Sequence, residues 1–278
     1  RAQGARGQGR SEIVTLRRSF AGLMVSLVAC AGTHGRDGAA TPKHVETAPI
    51  AARKSVRKAL AAVDRAYADR DVDDRWHAPE LFTFIVPKGA KTALDLSPGD
   101  GYFTELLVRV LGDDGVVVVP KEIDDAELGP LWARRLGRPT MAAVHKLAGD
   151  PRVVLSSDVP PLDVALIVFG YHQAVFQGID RAAMNRRVLA ALKPGGAYVI
   201  VDRSVRDRGG LGDARTLRRI DAELVRREIE DAGFAYDDET SLLRDDNDTR
   251  DWRGSDVATS KEHAGGDLFV LRFVRPAK

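Results

Sequence analysis

Hydrophobic and polar positions along the chain follow two periods. Val56, Leu60, Val63 and Tyr67 recur at helical spacing and predict one helix within 51–70. From 91 onward, short apolar runs alternate with amphipathic stretches. The runs at 92–96, 115–119, 153–155, 164–169 and 198–202 predict strands, and the unbroken run at 115–119 marks a sheet buried on both faces. Phe103, Leu106, Leu107, Val110 and Leu111 define one helix face that Gly112 ends. Segments 122–136 and 181–192 predict further helices, and Asp221 caps another that Gly233 terminates. Strands at 234–236 and 268–274 close the chain, the last suited to antiparallel pairing. Five βα units and a terminal hairpin predict a doubly wound, mostly parallel α/β sheet.

Composition narrows the class. With 278 residues, 44% hydrophobic and 29% charged, the chain is neither disordered, collagenous nor a disulfide-stapled miniprotein. One cysteine forms no internal disulfide, and the six histidines show no metal-ligand spacing, so no metal site is expected. The formal charge of +2 depends on Arg1, Arg6, Arg10, Arg17 and Arg18 at the N-terminus; the remainder is slightly acidic, which argues against a nucleic-acid partner.

Those arginines precede an apolar run at 20–29 that is too short to span a bilayer. Leu27-Val28-Ala29-Cys30 resembles the lipobox of bacterial lipoproteins, whose cysteine is acylated and becomes the N-terminus. That resemblance implies export and a membrane anchor at Cys30 on the periplasmic side. The plain alternative is a buried cysteine behind an amphipathic helix. The expected organisation is an upstream extension at 1–13, a lipoprotein signal peptide at 14–29, a tether at 30–50 and one domain with an N-terminal helical extension at 51–278.

The loop Asp95-Leu96-Ser97-Pro98-Gly99-Asp100-Gly101 leaves the first strand and opens a helix. Its glycines permit close backbone approach to a ligand, and the helix N-terminus offers free N–H groups. Asp95, at the strand's carboxyl end, is placed to accept from a ligand ammonium or an ordered water. A tight turn without a ligand is the plain alternative. No phosphate-clamping lysine follows, and Gly99-x-Gly101-x-x-Thr104 lacks the third glycine of a dinucleotide fingerprint.

Together with Leu192-Lys193-Pro194-Gly195-Gly196 ahead of a late strand, this loop resembles class I S-adenosylmethionine-dependent methyltransferases. More narrowly, 75–80 (RWHAPE), 82–84 (FTF) and 98–105 (PGDGYFTE) resemble a family of exported bacterial predicted methyltransferases, over roughly 69 to the end. The resemblance implies a seven-stranded Rossmann-like sheet with a C-terminal antiparallel hairpin, and S-adenosylmethionine as cofactor. Asp95, Ser97, Gly99, Gly101 and Tyr102 would then form its cofactor loop. Ser97 stands where the common motif has its first glycine. Pro120 stands where the second strand usually ends in a ribose-binding acid, which leaves Glu122 to reach back.

By the same analogy Asp158 would receive the adenine amino group, and Tyr171 and His172, after the fourth strand, would flank the methyl acceptor, with His172 as base. A buried aromatic and a hydrogen-bonded histidine in a turn are the plain alternatives. Asp202 and Arg203 border the acceptor pocket or form a surface ion pair. The acidic run 245–251 has Arg250 where a calcium loop needs glycine. The functional expectation is an exported, lipid-anchored methyltransferase of unknown acceptor. The alternatives are a non-catalytic binding protein that keeps the fold, and a nicotinamide-dependent oxidoreductase.

Overall fold

The computed structural model describes residues 50–277 apart from 52, 143, 208 and 261–264; the leader, Cys30 and nearly all of the tether lie outside the described residues. In chain order the elements are α1 (Lys54–Leu60), α2 (Tyr67–Arg70), α3 (Ala78–Ile85), β1 (Thr92–Asp95), α4 (Tyr102–Leu111), β2 (Val116–Pro120), α5 (Leu128–Leu136), β3 (His145–Leu147), β4 (Leu162–Val168), α6 (Gly170–Phe176), α7 (Arg181–Ala191), β5 (Leu192–Arg203), α8 (Gly210–Thr216), α9 (Ala222–Asp231), β6 (Ala235–Thr240) and β7 (Leu268–Val274). One sheet holds the seven strands in the order β3-β2-β1-β4-β5-β7-β6, with β7 antiparallel to both neighbours.

The apolar runs are continuous because both faces of this sheet are covered. Along β4, Val164, Leu166 and Val168 join one apolar cluster, while Ala165 and Ile167 join the other. β5 repeats the alternation, with Val199 and Val201 opposed to Tyr198 and Ile200. Successive side chains point to opposite faces, so two buried faces require an unbroken apolar strand. Side chains of α1, α3 and α4 cover the first face, and those of α6, α7 and α9 the second.

Four expectations need correction. The helix within 51–70 stops at Leu60, and Val63 and Tyr67 stand 93% and 80% exposed. Arg65 folds back to donate to the Leu60 carbonyl at 2.8 Å and to both Asp73 oxygens, and Arg70 takes the Ala62 and Val63 carbonyls. The carbonyls that a longer helix would use internally are thereby consumed. The strand expected at 153–155 is a turn in which the N–H groups of Val153 and Val154 both donate to the Asp150 carbonyl. The third strand is β3, paired with β2. The helix expected from 122 begins only at Leu128, where Asp125 caps the N–H groups of Glu127 and Leu128. Finally, β6 and β7 pair as expected, but a long connection, 241–267, joins them in place of a tight turn.

An ionic network fastens α5 to the first helical layer. The guanidinium of Arg135 donates to both oxygens of Asp69, to Glu105 at 2.8 Å and to the Asp100 carbonyl at 3.1 Å. Arg138 bridges the same two carboxylates.

Candidate functional site

The loop after β1 is shaped from below by Asp95. Its Oδ1 accepts the Ser97 N–H at 3.1 Å and its Oδ2 accepts the Thr104 hydroxyl at 2.6 Å. Burial raises this carboxyl to about 6, against the pull of those two bonds. Asp95 therefore braces the loop from below and stands off the cavity wall, where the expectation had it facing a ligand. Asp100 fixes the next turn, accepting from the Tyr102 N–H at 3.2 Å and from the N–H and hydroxyl of Thr259. Gly101, at φ +81°, lies against α5, and a Cβ there would meet Arg135 Cγ at 2.5 Å. Tyr102 packs among Trp76 and Phe103 and donates its hydroxyl to Asp73 at 2.8 Å. Gly101 and Tyr102 thus stand behind the cavity wall as packing residues.

Above the loop lies a cavity of about 680 Å³. Its walls are Ser97, Pro98 and Gly99 after β1, residues 120–125 after β2, Gly149, Asp150 and Arg152 after β3, and Gln173 of α6 after β4. All four wall segments leave the carboxyl ends of adjacent parallel strands. The sheet order reverses between β1 and β4, which is where open α/β sheets bind ligands.

The expected site residues divide sharply. Ser97, Gly99 and Glu122 are on the wall. The Glu122 side chain is 83% exposed and lies 3.7 Å from Lys121 at the surface, so the carboxylate has room to turn inward. Asp158 is off the wall, on the surface beside His145 at 3.4 Å. Once the third strand is β3, the acid at its end is Asp150, which does line the cavity and pairs with Arg152 at 2.8 Å. The signal for it was Ala148-Gly149-Asp150 following a short strand of mixed polarity.

Tyr171 points into the second apolar layer. It donates to Glu228 at 2.9 Å and accepts from Asn185 at 2.9 Å, and it is not on the wall of the cavity above β1–β4. His172 is buried with Nδ1 2.7 Å from Asp202 Oδ1 and Nε2 3.3 Å from Asp256 Oδ1. Burial disfavours its charge, but Asp202 and Asp256 together raise its pKa to about 9. The two carboxylates favour the protonated ring, the opposite of the state that the expected role as base requires. Asp202 and Arg203 are fully buried, not a surface pair; Arg203 lies 3.9 Å over the Phe169 ring. In the acidic run, Asp248 receives Arg219, the Trp252 indole and the N–H of Asp267. Among the described residues no three His, Cys, Asp or Glu side chains are grouped to hold a metal ion.

This site makes stability depend on pH. Between about 6.5 and 9 the folded chain holds a proton on His172 that the unfolded chain releases. The resulting stabilisation is complete below about 6.5 and lost as pH rises through about 9, up to roughly 3 kcal/mol at about 1.4 kcal/mol per unit. Asp95 acts in the same sense at lower pH, since its raised pKa favours the fold most when protonated. Denaturant midpoints should therefore fall between pH 7 and pH 10, and His172→Gln should flatten that fall.

No protein-family model matches the sequence, and no curated protein matches it. Solved structures do match. The complex between the Haloferax volcanii Trm112 methyltransferase activator and a proposed methyltransferase is similar at TM-score 0.50 and 18% identity, covering 82% of this chain and 100% of that one. A SAM-dependent methyltransferase from Aquifex aeolicus is similar at 0.49 and 15%, covering 78% and 95%. The [4+2]-cyclase SpnF is similar at 0.50 and 18%, covering 79% and 85%. The fold is that of class I methyltransferases. A methyltransferase fold is not by itself a chemistry, as the cyclase among these neighbours illustrates, so the function has to be argued from the site.

Proposed function

We propose that the chain binds S-adenosylmethionine in the cavity above β1–β4 and transfers its methyl group to an acceptor. The observation that carries this reading is the wall itself: an open glycine turn after β1, acids after β2 and β3, and a helix after β4, all around one cavity at the switch point. The fit is chemical as well as spatial. Gly99 presents bare backbone to the cavity, Glu122 is available for ribose hydroxyls, and Asp150, held by Arg152, brings its carboxylate to the wall for an exocyclic amine. A bound S-adenosylmethionine supplies an electrophilic methyl group on a sulfonium. The chain's part is to hold the nucleoside, orient the reacting end and exclude water there.

A second reading, a binding protein without catalysis, is favoured by the placement of the two catalytic candidates: His172 is enclosed between Asp202 and Asp256, which favour its protonated form, and Tyr171 is turned into the core. A nicotinamide-dependent oxidoreductase is disfavoured by Thr104 in place of the third fingerprint glycine. Export and lipidation at Cys30 belong to the proposal too, supported by the run at 20–29 and the lipobox-like 27–30. A Cys30→Ser chain should leave the detergent phase and retain the fold; unchanged partition would contradict the anchor.

Titration with S-adenosylhomocysteine tests the cofactor reading. Glu122→Gln and Asp150→Asn should each weaken the ligand about ten- to a hundredfold, the worth of a hydrogen bond to a charged acceptor. Asp158→Asn should leave affinity unchanged. Wild-type affinity in the first two variants would contradict these assignments.

A further inference from the structure

Asp256 is carried by the connection between β6 and β7, yet its side chain is 5% exposed and sits among donors from three other places in the chain. Its Oδ1 lies 3.3 Å from His172 Nε2 and 3.4 Å from Arg203 Nη1. Its Oδ2 accepts from Gln173 Nε2 at 3.0 Å and lies 3.1 Å from Arg218 Nη1. Each oxygen thus meets two donors, an arrangement complementary to a planar carboxylate. We propose that His172, Gln173, Arg203 and Arg218 form a carboxylate-binding site, that Asp256 occupies it as an internal stand-in, and that the methyl acceptor is a molecule carrying a carboxylate which takes its place.

Three observations support a replaceable occupant over a fixed structural pair. The fit is loose: charge-assisted N–H···O bonds settle at about 2.7–2.9 Å, whereas these contacts span 3.0–3.4 Å. Two buried polar atoms, His172 Nε2 and Arg203 Nε, find no hydrogen-bond partner of good geometry. The cationic side is also in surplus among the described ion pairs, because His172, Arg203 and Arg218 share Asp202 and Asp256, Arg203 adds only the neutral Ser255 carbonyl, and Asp202 is committed to His172 Nδ1 and two backbone N–H groups. Arg218 is held there at φ +58°, a left-handed conformation that costs an arginine energy and that the surrounding fold imposes.

The position ties this site to the cavity. Gln173 both lines the cavity and holds Asp256. The Asp256 carbonyl oxygen is 3.4 Å from where a Cβ on Gly99 would stand. A carboxylate anchored here would hold its parent molecule against the ligand in the cavity. That it is a methyl acceptor rests on the S-adenosylmethionine reading; that the site takes a carboxylate does not.

Thermal unfolding of the full chain with acetate, and with acetamide at matched ionic strength, tests the site without any cofactor. Asp256→Ala leaves the cations without their partner, so its midpoint should fall and acetate should restore it. The expected rise is roughly 3–5 °C at tenfold excess over the dissociation constant, with no response to acetamide. Asp256→Asn keeps the volume and secures a folded sample; acetate should displace the weaker amide and raise its midpoint less. Adding Arg218→Met to either variant should remove the response. No acetate effect in either variant, an equal effect of acetamide, or stronger rescue by inorganic phosphate would overturn the proposal. A chain that binds S-adenosylhomocysteine but shows no rescue loses this inference alone, whereas rescue without S-adenosylhomocysteine binding retains the carboxylate site and removes the methyl-acceptor assignment.

Discussion

Replacing Arg135 with methionine will cost the fold about 3 kcal/mol, the low end of the ~3–5 kcal/mol expected when one member of a buried ionic cluster is removed. Arg135 donates to both oxygens of Asp69 and to Glu105, and all three side chains are nearly inaccessible. Methionine fills most of the volume but leaves two carboxylates short of a partner. The loss sits at the low end because Arg138 still reaches Asp69 and Glu105, and Arg109 still pairs with Glu105 at 2.8 Å. In a chain of this size that corresponds to a fall in the melting midpoint of roughly 6–12 °C. Adding Asp69→Leu and Glu105→Met should recover much of the loss, because an apolar cluster carries no desolvation cost. Denaturant titration of the three chains decides it; a single-variant loss below about 1 kcal/mol would mean that Arg138 alone carries the network.

Gly99→Val should abolish S-adenosylhomocysteine binding, a loss of at least about a hundredfold, or ~2.7 kcal/mol. Gly99 has φ +56°, where a β-branched residue is strained, and it lines the cavity. The added side chain would project between the cavity and the Asp256 carbonyl, 3.4 Å from the Cβ position, removing the bare backbone that a ligand approaches. The helix behind the turn is anchored independently through Asp95, Thr104 and Asp100, so far-ultraviolet dichroism should remain native-like. Equal binding by both chains would place the ligand elsewhere.

The sheet was legible in the sequence because its driving force is local and periodic. Strands buried on both faces leave continuous apolar runs, and β7 was read to the residue from its alternation. Caps were equally plain: Asp221 accepts from the Glu223 and Leu224 N–H groups, and Gly233 takes φ +104°. What failed depended on long-range partners. His145-Lys146-Leu147 is a strand because β2 pairs with it, while Val153-Val154, with better strand composition, forms a turn around Asp150. That one shift moved the adenine candidate from Asp158 to Asp150. Val63 and Tyr67 fitted a helix face, yet Arg65 reaching Asp73 ended the helix before them.

Within the site, residue type and chain position were readable but direction was not. Ser97, Gly99 and Glu122 face the cavity, whereas Asp95, Gly101 and Tyr102 from the same motif brace it from behind. His172 has the right type and the right place for an acceptor site, but Asp202 and Asp256 enclose it and favour its protonated form. Asp256 itself lies in a connection that periodicity reads only as a gap between two strands, and nothing local announces that it meets His172 across the fold.

The central claim is that the cavity above β1–β4 is an S-adenosylmethionine site, and calorimetric titration of the full chain with S-adenosylhomocysteine and, separately, with NAD tests it most directly. The account predicts one S-adenosylhomocysteine site per chain, weakened in Asp150→Asn and lost in Gly99→Val, and no saturable heat from NAD. Saturable NAD binding that Gly99→Val removes, with no response to S-adenosylhomocysteine, would contradict it.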